Sequence, residues 1–193
     1  MGRYIVGITG ASGSIYGVRL IEELIKKGNA IYLIITDNGR KVLEYELEIN
    51  FQEWLQSISG NKGTLKLCAI DDMFSSLASG SFKTDGMIIA PCSMGTLSKI
   101  SCGLADNLLL RVADVMIKEK RKLILIPRET PLSSIHLQNM LFLSNLNVMI
   151  IPPMPAFYQK PKTIEDIVSI TVGRILASLN VDSDLYHEWS GNE

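Results

Sequence analysis

Five short apolar runs rich in β-branched residues recur along this chain, at residues 5–9, 30–36, 86–90, 123–126 and 148–151, with helical patterns filling the intervals. A strand wetted on one face alternates apolar with polar residues; these runs are continuous, so both faces must be covered. Continuous strands separated by helices predict an α/β fold, with a central parallel sheet, right-handed crossovers and helices on both faces. Ligands of such sheets sit outside the carboxyl ends of the strands. The candidate site therefore lies in the segments that follow the runs, 9–13, 36–38, 91–96, 127–131 and 152–158, which are rich in small hydroxyl residues, glycine and proline.

A chain of 193 residues suits one domain with a substantial core. The 47% apolar and 20% charged fractions leave surplus apolar surface, which predicts subunit contacts. No apolar run is long enough to span a membrane, and the N-terminus enters a strand at once instead of showing a cleavable leader, so a cytoplasmic location is expected. A net charge of −1 with scattered cations argues against nucleic acid as a partner. The one basic cluster, 118–122, fits the end of a helix before a strand. Cys68, Cys92 and Cys102 form no C-x-x-C pair, and His136 and His187 lie far apart, so neither a zinc site nor a disulfide framework is expected. Residues 50–63 read as a polar surface excursion. Residues 182–193 read as a tail whose Tyr186 and Trp189 could pack on a neighbouring subunit.

The first run passes into Gly10-x-x-Gly13-x-x-x-Gly17, a strand, tight turn and helix start that suits an anion or nucleotide-like cofactor. The spacing departs from the dinucleotide fingerprint G-x-G-x-x-G, and a glycine-rich turn without a ligand has the same composition. The segment 91–96 offers hydroxyls and amides without charge, as a flavin or phosphate site would; Ser93 serves equally as a helix N-cap. Residues 127–131 hold Arg128 and Glu129 between two prolines, a rigidity that a solvated loop does not need.

Four ordered motifs carry a resemblance: Thr-Gly-Ala-Ser-Gly at 9–13, Pro-Cys-Ser-x-Gly-Thr-Leu at 91–97, Arg-x-Ala-Asp-Val-x-x-Lys-Glu at 111–119 and Pro-Arg-Glu-x-Pro-x-Ser-Ser-Ile-His-Leu-x-Asn-Met at 127–140. With Pro-x-Pro-x-Phe-Tyr at 153–158, the chain resembles the flavin prenyltransferase family, UbiX type, over essentially its whole length. The resemblance implies a three-layer Rossmann-like (flavodoxin-like) fold, with residues 1–181 as one FMN-binding domain. It also implies transfer of a dimethylallyl group from dimethylallyl phosphate to N5 and C6 of reduced FMN, without metal. The prenylated FMN would serve a separate UbiD-type decarboxylase, and the chain would assemble as a homo-oligomer, a dodecamer by family likeness, with sites shared across interfaces.

Carried over motif by motif, Gly10, Ala11, Ser12, Thr36, Ser93, Met94, Gly95, Thr96 and Arg128 would hold FMN, with Ser12 near N5. Arg111, Lys118, Arg128, Tyr158 and Arg174 would bind the allylic phosphate, and Ser12, Glu46, Lys118 and Glu129 would take part in catalysis. Met73 stands where members often carry tryptophan at the prenyl pocket, which affects pocket shape.

The residue types suit the chemistry. Cations stabilise the negative charge that grows on a departing phosphate. Arginine offers a planar fork of donors and lysine a point charge. Glu129 could hand a proton to the phosphate, or Glu46 and Glu129 could move the proton lost from the flavin. On pattern alone, Lys118 fits an exposed helix face, Arg174 an ion pair at a subunit contact, Glu46 a solvated acidic face and His136 a loop brace. Two other functions keep the flavin site: a flavin-dependent cysteine-type decarboxylase, which needs a catalytic histidine, and a non-catalytic FMN carrier subunit of a decarboxylase, which needs no phosphate cations.

Overall fold

A computed structural model describes residues 1–58, 62–186 and 191. Six parallel strands, β1 (Arg3–Ile8), β2 (Ala30–Ile35), β3 (Thr64–Cys68), β4 (Gly86–Cys92), β5 (Leu123–Pro127) and β6 (Met149–Ile150), form one sheet in the order β3-β2-β1-β4-β5-β6. Five of them lie where the apolar runs predict. β3 was not anticipated: Thr-Leu-Lys-Leu-Cys alternates, pairs only with β2, and as an exposed edge strand lacks the buried-strand signature.

Among the described residues seven helices complete the layers: α1 (Ser14–Lys26), α2 (Asp37–Leu47), α3 (Phe51–Ile58), α4 (Met94–Ser101), α5 (Leu108–Lys118), α6 (Ser134–Asn145) and α7 (Ile164–Ser178). Helix α3 corrects the reading of 50–63 as a polar excursion. Phe51, Trp54 and Ile58 fall three and four residues apart, so they share one face and bury it. Lys118 ends α5 ahead of β5, as the basic cluster suggests.

Successive strand residues point to opposite faces of the sheet. Val6, Ile8, Ile88 and Ile124 join α1, α2, α3 and α7 in one core cluster. Ile5, Ile34, Ile89 and Leu125 join α4, α5 and α6 in the other. Truncating a side chain such as Ile88, fully buried at 0% exposure, costs about 2–5 kcal/mol through lost burial and the cavity left behind. Tyr186, in the expected tail, lies against α7 of its own chain; Trp189 falls outside the described residues.

The strand order reverses at β1 and β4: the chain turns from β1 toward β2 and from β4 toward β5 on the opposite side. The crevice between the segments that leave these two strands is where a doubly wound sheet takes its ligand.

Candidate functional site

Thr9, 1% exposed, fastens the two walls of the crevice. Its hydroxyl donates to the Pro91 carbonyl at 2.9 Å and accepts from the Ser93 amide at 2.8 Å, while its own amide donates to the same carbonyl at 3.2 Å. One buried threonine thus sets the spacing of the 9–13 and 91–96 segments.

Beside it opens a cavity of about 540 Å³ onto which three helices direct their starts. Thr36 caps α2 by accepting from the Gly39 amide at 2.9 Å. Ser93 caps α4 by accepting from the Thr96 amide at 3.3 Å, and Asn107 caps α5 by accepting from the Leu110 amide at 3.0 Å. Helix starts carry partial positive charge, and Lys41 and Lys99 add two full charges to the same lining, against one carboxylate from Asp37. Lys99 is held by Asp106 at 3.1 Å. This donor set fits the phosphate end of a nucleotide-like cofactor. Gly95 leaves the wall open, since a Cβ there would meet nothing within 4 Å. Ser93 both caps a helix and lines the cavity.

The start of α1 is different, and it corrects the expectation of an external anion there. Gly13 adopts φ 101°, a left-handed conformation that glycine takes without strain, and has no side chain to cap the helix. Glu46 reaches over from α2 instead. Its carboxylate accepts from the Gly13 amide at 2.9 Å and the Ser14 amide at 3.0 Å. Burial alone would raise its pKa, but hydrogen bonds from the Ser12 hydroxyl and the Ser14 and Gly13 amides hold the carboxyl below the usual carboxylate range. Glu46 is therefore no solvated face charge, and it sits beside Ser12. Gly17 lets α1 pack directly on the Ala90 carbonyl, which accounts for the third glycine of the motif.

Arg128 and Glu129 follow β5 and are exposed. The Arg128 amide donates to the Cys92 carbonyl at 3.3 Å, so the segment is tied to the end of β4. Burial raises the Tyr16 pKa and the Arg128 charge opposes that rise. Glu129 accepts from the Thr130 amide at 3.0 Å. Tyr158 and Arg174 line a second cavity of about 240 Å³ together with Tyr186. His136 is half of a capping box with Ser133 at the start of α6, a bracing role as its sequence setting suggests.

Of the expected residues, Ala11, Ser12, Glu46, Met94, Arg128 and Glu129 lie outside the lining of both cavities, and Arg111 and Lys118 are engaged elsewhere. Arg111 donates to Asp114 at 2.6 Å and to the Ala78 carbonyl at 3.0 Å. Lys118 lies 3.8 Å from Glu119 at the end of α5, five residues before β5 begins, and so at the amino edge of the sheet, opposite the cavities. Met73 follows β3 and is 41% exposed. The sequence reading missed Lys41, Lys99, Asn107 and Tyr186. An asparagine directly before the apolar Leu108–Leu110 run is an N-cap signal that could have found Asn107. Among the described residues no group of three or more His, Cys, Asp or Glu is placed to hold a metal ion, and no helix is long and apolar enough to cross a membrane.

The flavoprotein family matches residues 2–176. The flavin prenyltransferase UbiX of Chlamydia pneumoniae is 51% identical over 193 residues, covering 100% of both chains. Among solved structures, the dodecameric FMN-dependent UbiX-like decarboxylase of Escherichia coli O157:H7 superposes with a TM-score of 0.88 at 40% identity, over 98% of this chain and 100% of that one. AnUbiX in complex with FMN and dimethylallyl pyrophosphate superposes at 0.91 with 38% identity, over 100% of this chain and 99% of that one. With a crevice walled by both glycine and serine motifs, and likeness of this extent along the whole chain, the protein belongs to the flavoprotein family and, within it, to the UbiX flavin prenyltransferases.

Proposed function

We propose that this chain joins the dimethylallyl group of dimethylallyl phosphate to N5 and C6 of reduced FMN, and that prenylated FMN passes to a separate UbiD-type decarboxylase. The observation that carries the reading is the convergence of three capped helix starts with Lys41 and Lys99 on one cavity, together with a second cavity lined by Tyr158 and Arg174. The first arrangement suits the FMN phosphate and the second a smaller phosphorylated co-substrate. Gly10, Ala11, Thr36, Ser93, Met94, Gly95 and Thr96 would hold FMN, and Ser12 would face N5 with its hydroxyl oriented by Glu46.

Reduced FMN supplies the nucleophilic nitrogen and ring carbon when bound. Arg128, Tyr158 and Arg174 would meet the charge that develops on the phosphate as the allylic carbon–oxygen bond breaks and its electron pair leaves with oxygen. Glu129 is exposed and could exchange protons with the phosphate. Glu46 is a poor proton acceptor while its carboxylate is held by three donors, so its part is to orient Ser12 and cap α1. Lys118 would reach the phosphate from a neighbouring subunit. Helix α6 supports that assembly: it buries only Leu143 and leaves Ile135, Leu137, Leu141 and Phe142 exposed. A homo-oligomer, dodecameric as in the Escherichia coli relative, covers such a helix. The three free cysteines suit a reducing cytoplasm.

A cysteine-type decarboxylase is disfavoured because His136 is engaged in the α6 cap. A carrier subunit would have no use for Arg174 and Tyr158 in a shared cavity. The test is anaerobic incubation of the protein with reduced FMN and dimethylallyl monophosphate, followed by mass spectrometry of the released flavin. A gain of one five-carbon unit is expected; an unchanged flavin that stays bound would favour the carrier.

A further inference from the structure

The chain that follows α7 folds back onto that helix, and Gly173 permits it. A Cβ at residue 173 would stand 2.7 Å from the Tyr186 Cβ and 2.8 Å from the Tyr186 amide nitrogen, so the returning backbone lies on bare glycine. Leu185 packs against the core on the α1 and α7 side of the sheet, and the Ser183 hydroxyl accepts from the Leu185 amide at 3.1 Å. This anchoring delivers Tyr186 to Arg174. The Arg174 guanidinium carbon lies 5.6 Å from the Tyr186 ring centroid, within cation–π range, and Nη1 is 3.5 Å from the phenolic oxygen. The same hydroxyl hydrogen-bonds to Tyr158; that bond and partial burial raise the Tyr186 pKa, against the opposing charge of Arg174. All three side chains line the 240 Å³ cavity.

We infer that Tyr186 is a positioning residue for the prenyl phosphate: its ring props the Arg174 guanidinium and its hydroxyl holds Tyr158, so that both donors face the cavity before substrate arrives. The inference rests on the prenyltransferase reading of that corner. An arginine on an exposed helix face otherwise samples many rotamers, and fixing it in advance removes that ordering cost from binding. Tyr186 does not touch the reacting atoms, and its influence falls on affinity, not on the chemical step.

The experiment compares wild type, Tyr186→Phe, Tyr186→Ala and Arg174→Ala as intact protein. Calorimetry on protein loaded with oxidised FMN, which cannot turn over, gives Kd for dimethylallyl monophosphate; kinetics with reduced FMN give KM and kcat. Tyr186→Ala is expected to raise Kd and KM by about 5–10-fold, the scale of one immobilised long side chain, with kcat, FMN affinity and melting temperature unchanged. Tyr186→Phe keeps the ring and should fall between alanine and wild type. The inference is overturned if Tyr186→Ala leaves Kd unchanged while Arg174→Ala weakens it. Tighter binding, meaning that the tyrosine competes with phosphate, or a parallel loss of FMN affinity and melting temperature, meaning a general structural role, would also overturn it. If Arg174→Ala itself leaves Kd unchanged, the reading of this corner as a phosphate site fails first.

Discussion

The two cavities proposed for the FMN phosphate and the prenyl phosphate are built in opposite ways. The first is made of backbone: three helix starts, each closed by a short capping side chain, with two lysines at the margin. The second is made of long side chains, Tyr158 and Arg174, on exposed surfaces; of its other expected members, Arg128 follows β5 outside that cavity and Lys118 stands at the far edge of the sheet. A site of fixed dipoles is complete when the chain folds, whereas a site of mobile cations needs props and partners. The second kind suits charge that appears only as a bond breaks, because strong donors aimed at the leaving group act most in the transition state.

That contrast can be broken by substitution. Arg174→Ala should cut prenyl transfer by about 100-fold or more, the scale for losing one preorganised donor, while FMN stays bound. FMN affinity lost together with activity would mean that the two regions are one. Lys99→Ala should do the reverse. It should weaken FMN binding by about 10-fold at low salt, and by less at high salt because Lys99 is exposed, with kcat at saturating FMN retained. Titration of flavin fluorescence at two ionic strengths measures this.

A third substitution probes the helix start that refuses an external anion. Glu46→Ala should destabilise the fold by about 1–2 kcal/mol at neutral pH, since two amides and a hydroxyl lose a charged partner. The carboxyl is held below its ordinary pKa, so its stabilisation is present above the carboxylate range and fades as pH falls through the depressed value. Melting curves of wild type and variant should therefore converge in acid; a constant gap would show that the carboxylate charge plays no part. The smallest effect concerns metal. Chelation with EDTA should leave the transfer rate unchanged, because the phosphate charge is met by guanidinium and ammonium groups.

Which parts were legible in the sequence follows the same division. Buried strands announce themselves by continuous apolar runs, so β1, β2, β4 and β5 could be read directly; of the two edge strands, β6 still carries an apolar run, whereas β3 alternates and could not be read. Capping residues are local signals, which is why Ser93 could be read as an N-cap, whereas Thr36 was found through likeness to a family. The anion on α1 was misread because Glu46 meets Gly13 from 33 residues away, a distance no local pattern encodes. Lys41, Lys99 and Tyr186 escaped for the same reason: each gains its meaning from an element brought alongside by the fold. Lys118 was found through likeness to a family, and a single chain leaves it at the amino edge of the sheet.

The division predicts that each prenyl-phosphate corner is completed by a neighbouring subunit, and co-assembly tests this most directly. Lys118→Ala and Arg174→Ala proteins, each inactive alone, would be co-expressed in equal amounts and assayed for prenylated flavin. If Lys118 acts across the interface, mixed assemblies should regain about a quarter of wild-type activity, the share of sites that draw both intact residues. Activity no higher than in either variant alone would contradict the account, because Lys118 and Arg174 would then have to act within one chain.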